Sequence, residues 1–147
     1  MTLTIDRPTA ADQPAWRRLF DGYAAFYNMP MTDATAAMVW GWIHDPAHPV
    51  EALVARRDGR LVGLAHFRAM PSPLRGTMAG FLDDLFVDPA ERGSGAGPAL
   101  LAALKAIAAE RGWPVIRWIT ADNNYRARAL YDRHATRAMW ITYEMRP

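Results

Sequence analysis

The chain has 147 residues and a formal net charge of +2, with 51% hydrophobic and 22% charged residues. These proportions are typical of a folded globular protein and exclude a disordered chain. The absence of cysteine excludes disulfides, thiolate metal sites and a cysteine nucleophile. The length predicts one domain over residues 1–147.

The distribution of charged and apolar residues limits the partners. Lysine is scarce and no basic block occurs, so nucleic acid is not an expected partner. Polar residues and the acidic Asp6 occur too early in the chain for the apolar core of a signal peptide. The longest apolar run, around residues 96–109, is interrupted by Lys105 and is too short to span a membrane. We therefore expect a cytoplasmic protein that binds neither a membrane nor a metal ion. The sequence leaves open whether the protein forms a homodimer.

The predicted elements begin with a short strand and two helices. The strand covers residues 2–7. Asp12 is suited to cap the first helix, and Pro14 lies in its first turn. The second helix is predicted to begin at Thr32 or Asp33.

Three β-rich runs follow, at residues 51–57, 60–69 and 78–87. Asp58 and Gly59 separate the first two runs. Both residues accept a positive φ, so they mark a two-residue hairpin turn. The three runs therefore predict neighbouring antiparallel strands.

The second half of the chain alternates helices with strands. A helix follows a glycine-rich loop and ends at Gly112. Strands are predicted at residues 115–120 and 138–145, on either side of a helix at residues 124–134. Together the two halves predict an α+β fold, with a mixed, mostly antiparallel central sheet flanked by helices.

The glycine-rich loop, RGSGAG at residues 92–97, lies between a strand and a helix N-terminus. The first amides of a helix lack intrahelical partners and carry the positive end of its dipole. Glycines there allow a phosphate to approach the backbone closely. A glycine-rich connector is the open alternative, and a P-loop is excluded because no Lys-Ser or Lys-Thr follows.

Two motifs together resemble those of a known family. Residues 92–97 resemble the Arg/Gln-x-x-Gly-x-Gly/Ala signature of the GNAT superfamily of acetyl-CoA-dependent N-acetyltransferases. NYRARALY at residues 124–131 resembles the family's Asn-x-x-Ala-x-x-Leu-Tyr helix. LDDLFV at residues 82–87 is similar to the LEDLFV-type strand of polyamine and diamine acetyltransferases. The resemblance covers nearly the whole chain and implies the GNAT fold.

The resemblance implies a binding site for acetyl-CoA. It assigns the cofactor contacts to Leu85, Phe86, Val87, Arg92, Gly93, Ser94, Gly95, Ala96, Gly97, Pro98, Asn124 and Arg126. Because Pro98 has no N–H, the residues before it and Ala99 are the expected donors to the pyrophosphate. Arg126 and Arg128 are assigned to the adenosine phosphate, and a solvated helix face is the alternative for both.

The resemblance also assigns chemical roles. It implies that Tyr131 protonates the departing thiolate, for which a phenol is a suitable donor; a core tyrosine is the alternative. Asp83 matches the glutamate of the strand pattern and is the first candidate for a base or the anchor of a water relay. Asp84 is the candidate for binding the substrate's ammonium. A bulge would be needed to turn both carboxylates to one face, and a structural salt bridge is the alternative for either.

These inferences predict an N-acetyltransferase that moves the acetyl group from acetyl-CoA directly to a primary amine in a ternary complex. The paired aspartates favour a small polyamine- or diamine-like acceptor. A protein N-terminus or a lysine side chain is the alternative acceptor. A non-catalytic acyl-CoA-binding sensor is the alternative from another class.

Overall fold

A hairpin forms the centre of the sheet. Asp58 and Gly59 have φ of 50° and 82°, as its two-residue turn requires. The computed structural model describes residues 2–147, and its first strands are β1 (Leu3–Asp6), β2 (Val50–Arg57), β3 (Arg60–Ser72) and β4 (Thr77–Val87). The turn joins β2 to β3, while β1 pairs antiparallel with β2 and β4 pairs antiparallel with β3. The predicted antiparallel strands are confirmed.

Helices cover both faces of this sheet. Successive strand residues point to opposite faces, so Leu53 packs in one core cluster and Val54 in the other. The helices are α1 (Gln13–Phe26), α2 (Asp33–His44), α3 (Ala96–Arg111) and α4 (Tyr125–His134). The Val54 cluster contains side chains of α1 and α2, and the Leu53 cluster contains side chains of α3 and α4. None of the helices in the described chain is long and apolar enough to cross a membrane.

A short fifth strand completes the sheet. β5 (Ile116–Arg117) pairs parallel to β4, and the strand order is β1-β2-β3-β4-β5. The prediction of a strand over residues 115–120 is therefore correct in place but too long. Beyond Arg117 the backbone leaves β4, so no partner continues the ladder.

The predicted strand at residues 138–145 is wrong for the chain as described. These residues form no ladder, and all of them are exposed. Strand propensity indicates only that a segment suits a pleated, partly buried surface. A strand also needs a hydrogen-bonded neighbour, and no element of residues 2–147 provides one here.

Asp12 holds the start of α1 differently from the prediction. It occupies the N-cap position, but its side chain makes no hydrogen bond to the helix. Its carboxylate instead accepts from the Thr9 amide at 2.7 Å and from Arg56 Nη1 at 2.7 Å. Asp12 therefore ties the chain before α1 to β2.

We expect Asp12→Asn to lower the free energy of unfolding by about 1–3 kcal/mol at neutral pH. Hydrogen bonds from Arg56 hold the pKa of Asp12 well below its usual range. A carboxylate whose pKa is lower in the folded state contributes stability above its unfolded pKa, about 4, and loses it as the pH falls. Urea unfolding should therefore show the difference between wild type and variant beginning to shrink near about pH 5 and shrinking further as the pH falls well below the unfolded pKa. A difference independent of pH would contradict the role of the charge.

Candidate active site

A cleft opens where β4 and β5 diverge. The two strands pair only at Gly80–Ile116 and Phe81–Arg117. From Leu82 to Val87, β4 is hydrogen-bonded to a strand on its β3 side alone. The cleft has a volume of about 580 Å³. Its β4 wall thus offers backbone groups that suit a ligand containing amides.

Segments distant in the sequence meet in this cleft. The end of β4, the glycine loop and the first turns of α3 and α4 line it, together with aromatic side chains of α1 and its C-cap. Among the expected cofactor-binding residues, the lining contains Leu85, Phe86, Val87, Arg92, Gly93, Gly95, Ala96, Gly97, Pro98, Asn124 and Arg126. Ser94 is not among the lining residues. Its carbonyl accepts from Arg57 Nη2 at 2.7 Å, which holds the loop against β2.

The glycine loop presents unpaired amides to the cleft. Gly93 and Gly95 have φ of 80° and 92°, a region that residues with a Cβ rarely adopt. Gly95 is the N-cap of α3. Within residues 2–147, no backbone carbonyl accepts from the amides of Gly95, Ala96 or Gly97. These donors lie at the positive end of α3, so the loop fits a diphosphate.

Two details of the loop differ from the sequence expectation. The Ala99 amide donates to the Gly95 carbonyl at 3.0 Å. Because α3 begins at Ala96, Ala99 is the first residue with a helical acceptor, and its assignment as a phosphate donor is wrong. A Cβ on Gly97 would lie 3.1 Å from Leu130 Cδ2, so this glycine also permits the close packing of α3 on α4.

Two arginines at the start of α4 have the same predicted role but different surroundings. Asn124 is the N-cap of α4, and its Nδ2 donates to Thr120 Oγ1 at 3.1 Å. Arg126 lines the cleft. Arg128 does not: its guanidinium donates to the Asp122 carbonyl, and it lies over the ring of Tyr125 at 5.9 Å. Arg128 therefore stabilises the turn before α4.

Tyr131 is not among the residues that line the cleft; it follows the lining residue Leu130 on α4 and packs against the core cluster that contains Leu53. Its ring packs against Trp118, with 5.4 Å between the ring centroids. Burial, with a smaller effect of Tyr27, raises the pKa of Tyr131 to about 12. The phenol is therefore protonated at neutral pH, as a proton donor must be.

A β-bulge turns both acidic side chains of β4 to the same face. His66 pairs with Asp84 and Phe67 with Leu82, which leaves Asp83 as the extra residue. Asp84 contacts His66 and Asp83 contacts Arg68, and these β3 residues are two positions apart. Residues two apart on a strand share a face. The bulge therefore brings the two carboxylates together on the α1 side of the sheet.

A buried histidine orients Asp84. His66 is 1% exposed, and Trp16 Nε1 donates to its Nε2 at 3.0 Å. An indole N–H is only a donor, so Nε2 carries no proton and Nδ1 does. Nδ1 then donates to Asp84 Oδ2 at 2.8 Å. The neutral imidazole adds no positive charge beside Asp84.

Asp83 has a different environment. It forms an ion pair with Arg68 Nε at 3.0 Å, so the predicted alternative of a salt bridge holds for this residue. Burial raises the pKa of Asp83, and Arg68 opposes the shift. Tyr23, which lines the cleft, donates its hydroxyl to the Asp83 carbonyl at 3.4 Å. Burial and the charge of Asp84 also raise the pKa of Tyr23.

Sequence reasoning did not connect three residues of this site with Asp83 and Asp84. His66, Arg68 and Tyr23 contact the two aspartates, although 15 or more positions separate each from its partner. The hairpin pattern places β3 beside β4, but it does not reveal the bulge that determines which residues face each other. The aromatic residues of α1 give no signal that distinguishes a cleft residue from a core residue.

Comparisons with known proteins agree with this geometry. Residues 15–135 match the model of the Acetyltransferase (GNAT) family. The chain is 26% identical over 135 residues to the D-amino-acid N-acetyltransferase HPA3 of Saccharomyces cerevisiae, covering 90% of this chain and 84% of the relative. It is 33% identical over 112 residues to the aminoglycoside N(6')-acetyltransferase type 1 of Stenotrophomonas maltophilia, covering 74% and 69%.

A solved structure shows the same architecture. The ribosomal-protein-alanine N-acetyltransferase from Brucella melitensis biovar Abortus superposes with a TM-score of 0.83 and 29% identity, covering 99% of both chains. The predicted mixed fold is therefore confirmed. The family match, the cleft and the glycine loop lead to one identification: the chain belongs to the GNAT family and is an acetyl-CoA-dependent N-acetyltransferase.

Proposed function

We propose that the chain acetylates a small, polyamine- or diamine-like amine in a ternary complex with acetyl-CoA. The observation that supports this acceptor is the pair of carboxylates that the bulge turns to one face, Asp83 and Asp84. Arg68 compensates the charge of Asp83, while the neutral His66 leaves that of Asp84 available. Tyr23 connects this acidic pair to the cleft. Such a pair of carboxylates favours an ammonium group as its ligand.

Acetyl-CoA supplies an acetyl group activated as a thioester. We assign its diphosphate to the unpaired amides around Gly95 and its amide-bearing arm to the free backbone edge of Leu85–Val87. Asn124 and Arg126 border the same cleft and would contact the rest of the molecule. These groups bind the thioester and orient it beside the aromatic side chains of α1 that line the cleft.

The remaining residues handle protons. Alkylamines are mostly protonated at neutral pH, so the attacking amine must lose a proton. We assign the anchor of a water relay to Asp83, whose raised pKa suits a base, and the ammonium contact to Asp84. Tyr131 holds a proton for the departing sulfur. No step needs a covalent acyl carrier, in keeping with a chain that has no cysteine.

The names of the relatives support a primary amine as the acceptor but do not indicate its size. Two of the relatives are named for D-amino acids and aminoglycosides, which are small molecules with amino groups. The ribosomal-protein-alanine enzyme is named for a protein substrate, which makes a protein N-terminus the second candidate acceptor.

A thiol-release assay with acetyl-CoA tests the acceptor. The panel contains diamines, polyamines, aminoglycosides, D-amino acids and peptides with a free N-terminal alanine. We expect the highest kcat/KM for diamines and polyamines, with a preference that weakens as salt screens the charges. Highest kcat/KM for the peptides would favour the second candidate. Binding of acetyl-CoA with no release on any acceptor would support the sensor alternative.

The two aspartates should respond differently to substitution. We expect Asp84→Asn to raise the KM for a diamine about 10- to 100-fold, because a hydrogen bond to a charged group contributes about 1.5–3 kcal/mol. Asp83→Asn should instead mainly lower kcat. Glu110→Gln, which removes a negative charge from an exposed position of α3, is the control and should leave both constants unchanged. Unchanged KM in Asp84→Asn would exclude the ammonium contact.

A further inference from the structure

The side chain of Arg57 connects the end of β2 with the glycine loop. Leu53 and Ala55 pack in the core cluster that contains side chains of α3. Residues two apart on a strand share a face, so Arg57 extends from the same face of β2. Its side chain is 11% exposed, and its Nη2 donates to the Ser94 carbonyl at 2.7 Å. This hydrogen bond joins two segments that lie 37 positions apart in the chain.

The carbonyl that Arg57 contacts lies at the centre of the loop. Ser94 stands between Gly93 and Gly95, which both have a left-handed φ. Glycine is the least restricted residue, so the backbone on either side of Ser94 needs an outside contact to keep one shape. The Ser94 side chain provides none, because within residues 2–147 its buried hydroxyl has no hydrogen-bond partner. The hydrogen bond from Arg57 provides such a contact.

Glu91 gives the guanidinium of Arg57 a second contact with the same loop. Arg57 Nε lies 3.2 Å from Glu91 Oε2, and the Ser94 amide donates to the Glu91 carbonyl at 3.2 Å. A guanidinium is a planar fork, so it bonds in two directions at once. Arg57 therefore contacts both ends of the short turn from Glu91 to Ser94. The carboxylate of Glu91 also pairs with Arg60, whose side chain is 66% exposed.

The position of the Ser94 carbonyl determines the direction of the next amide. The carbonyl of Ser94 and the N–H of Gly95 belong to one planar peptide unit, which is trans. In a trans unit the N–H and the C=O point in opposite directions. When the carbonyl points to Arg57 on β2, the Gly95 N–H points away from β2. This N–H is one of the unpaired amides of the loop, and Gly95 lines the cleft.

We propose that Arg57 is a positioning residue for acetyl-CoA: through the Ser94 carbonyl it holds the Gly95 amide in the direction that the diphosphate requires. Arg57 is not among the cleft-lining residues, so it acts through the loop and without touching the ligand. The inference rests on the assignment of the diphosphate to this loop, and it is independent of the amine acceptor. An amide fixed before the ligand arrives costs less ordering on binding, which strengthens the affinity.

Two acetyl donors test this role. S-acetylpantetheine has the thioester and the amide-bearing arm of acetyl-CoA but lacks the diphosphate. We expect Arg57→Met to lower kcat/KM for acetyl-CoA about 10- to 100-fold, the effect of losing one hydrogen bond to a charged group, and to leave kcat/KM for S-acetylpantetheine unchanged. Calorimetry should show the Kd for coenzyme A rising by a similar factor. Equal losses with both donors, or wild-type values with acetyl-CoA, would overturn the proposal.

Arg60→Met is the matched control. It removes the same charge from the same carboxylate partner, Glu91, but from an exposed side chain, and it should leave both kcat/KM values near those of the wild type. A loss equal to that of Arg57→Met would show that net charge beside Glu91 matters and that the contact with Ser94 does not. If Arg57→Met does not fold, Arg57→Lys and Arg60→Lys repeat the comparison with the charge retained. Lysine lacks the planar fork, so only Arg57→Lys should lose kcat/KM for acetyl-CoA. Wild-type kinetics of Arg57→Lys would then contradict the proposal.

Gly95→Glu separates a failure of this inference from a failure of the diphosphate assignment. Its new carboxylate lies at the N-terminus of α3 and should repel a diphosphate there. If Gly95→Glu loses coenzyme A binding while Arg57→Met retains wild-type affinity, the assignment stands and the positioning role of Arg57 is wrong. If Gly95→Glu binds coenzyme A as tightly as the wild type, the loop does not hold the diphosphate and both statements are wrong.

Discussion

Replacing Tyr131 with Phe is expected to lower kcat by about 10²- to 10⁴-fold, the usual contribution of a positioned acid, with affinity for acetyl-CoA nearly unchanged. Phe keeps the ring that packs against Trp118 and removes only the hydroxyl. A purely structural tyrosine would lose about 1 kcal/mol of stability and little turnover. Steady-state kinetics and urea unfolding of the same preparation separate the two roles.

The matched control is Tyr125→Phe, the same change at an exposed position of the same helix, where 73% of the residue is in solvent. It should retain wild-type kcat. Because the pKa of Tyr131 is about 12, its proton stays in place, and the loss in Tyr131→Phe should be similar at about pH 7 and about pH 9. The loss should also shrink for thioesters with a more acidic leaving thiol. Wild-type turnover of the variant on every acceptor would remove Tyr131 from the chemistry.

Gly95→Glu is expected to abolish binding of coenzyme A, weakening the affinity by at least about 100-fold. The new carboxylate lies at the N-terminus of α3, where it repels phosphates from the unpaired amides. The left-handed φ of 92° also strains any residue with a Cβ. Titration calorimetry measures the loss. As a second readout, coenzyme A at a hundredfold excess over the wild-type Kd should stabilise the wild type by about 2.7 kcal/mol and the variant hardly at all.

Gly76→Glu is the control for strain and charge. Gly76 also has a left-handed φ, 63°, and a Cβ there would meet no atom within 4 Å. It lies in the turn between β3 and β4, outside the cleft lining, so binding should be unaffected. Gly97→Asp is less informative, because its Cβ would press on Leu130 and disturb the packing of α4. Wild-type affinity in a folded Gly95→Glu protein would show that the loop is only a connector.

The sequence by itself determined the features that depend on neighbouring residues. The turn at Asp58 and Gly59, the start of α2 at Asp33 and the end of α3 at Gly112 all follow from local backbone preferences. The glycine loop before α3 belongs to the same class, because both its left-handed backbone and its free amides arise within one short stretch. These local signals, together with the motif ending at Tyr131, were sufficient to predict the family.

Only the tertiary structure decided how the side chains of Asp83 and Asp84 are arranged. The bulge at Asp83 is an irregularity of pairing between β3 and β4, and no local pattern encodes it. It changes which side chains share a face, and it therefore joins His66 to Asp84 and Arg68 to Asp83. Residues 138–145 show the same dependence. They have the composition of a strand, but a strand exists only where another backbone satisfies its hydrogen bonds, and that partner is a matter of tertiary or quaternary contact.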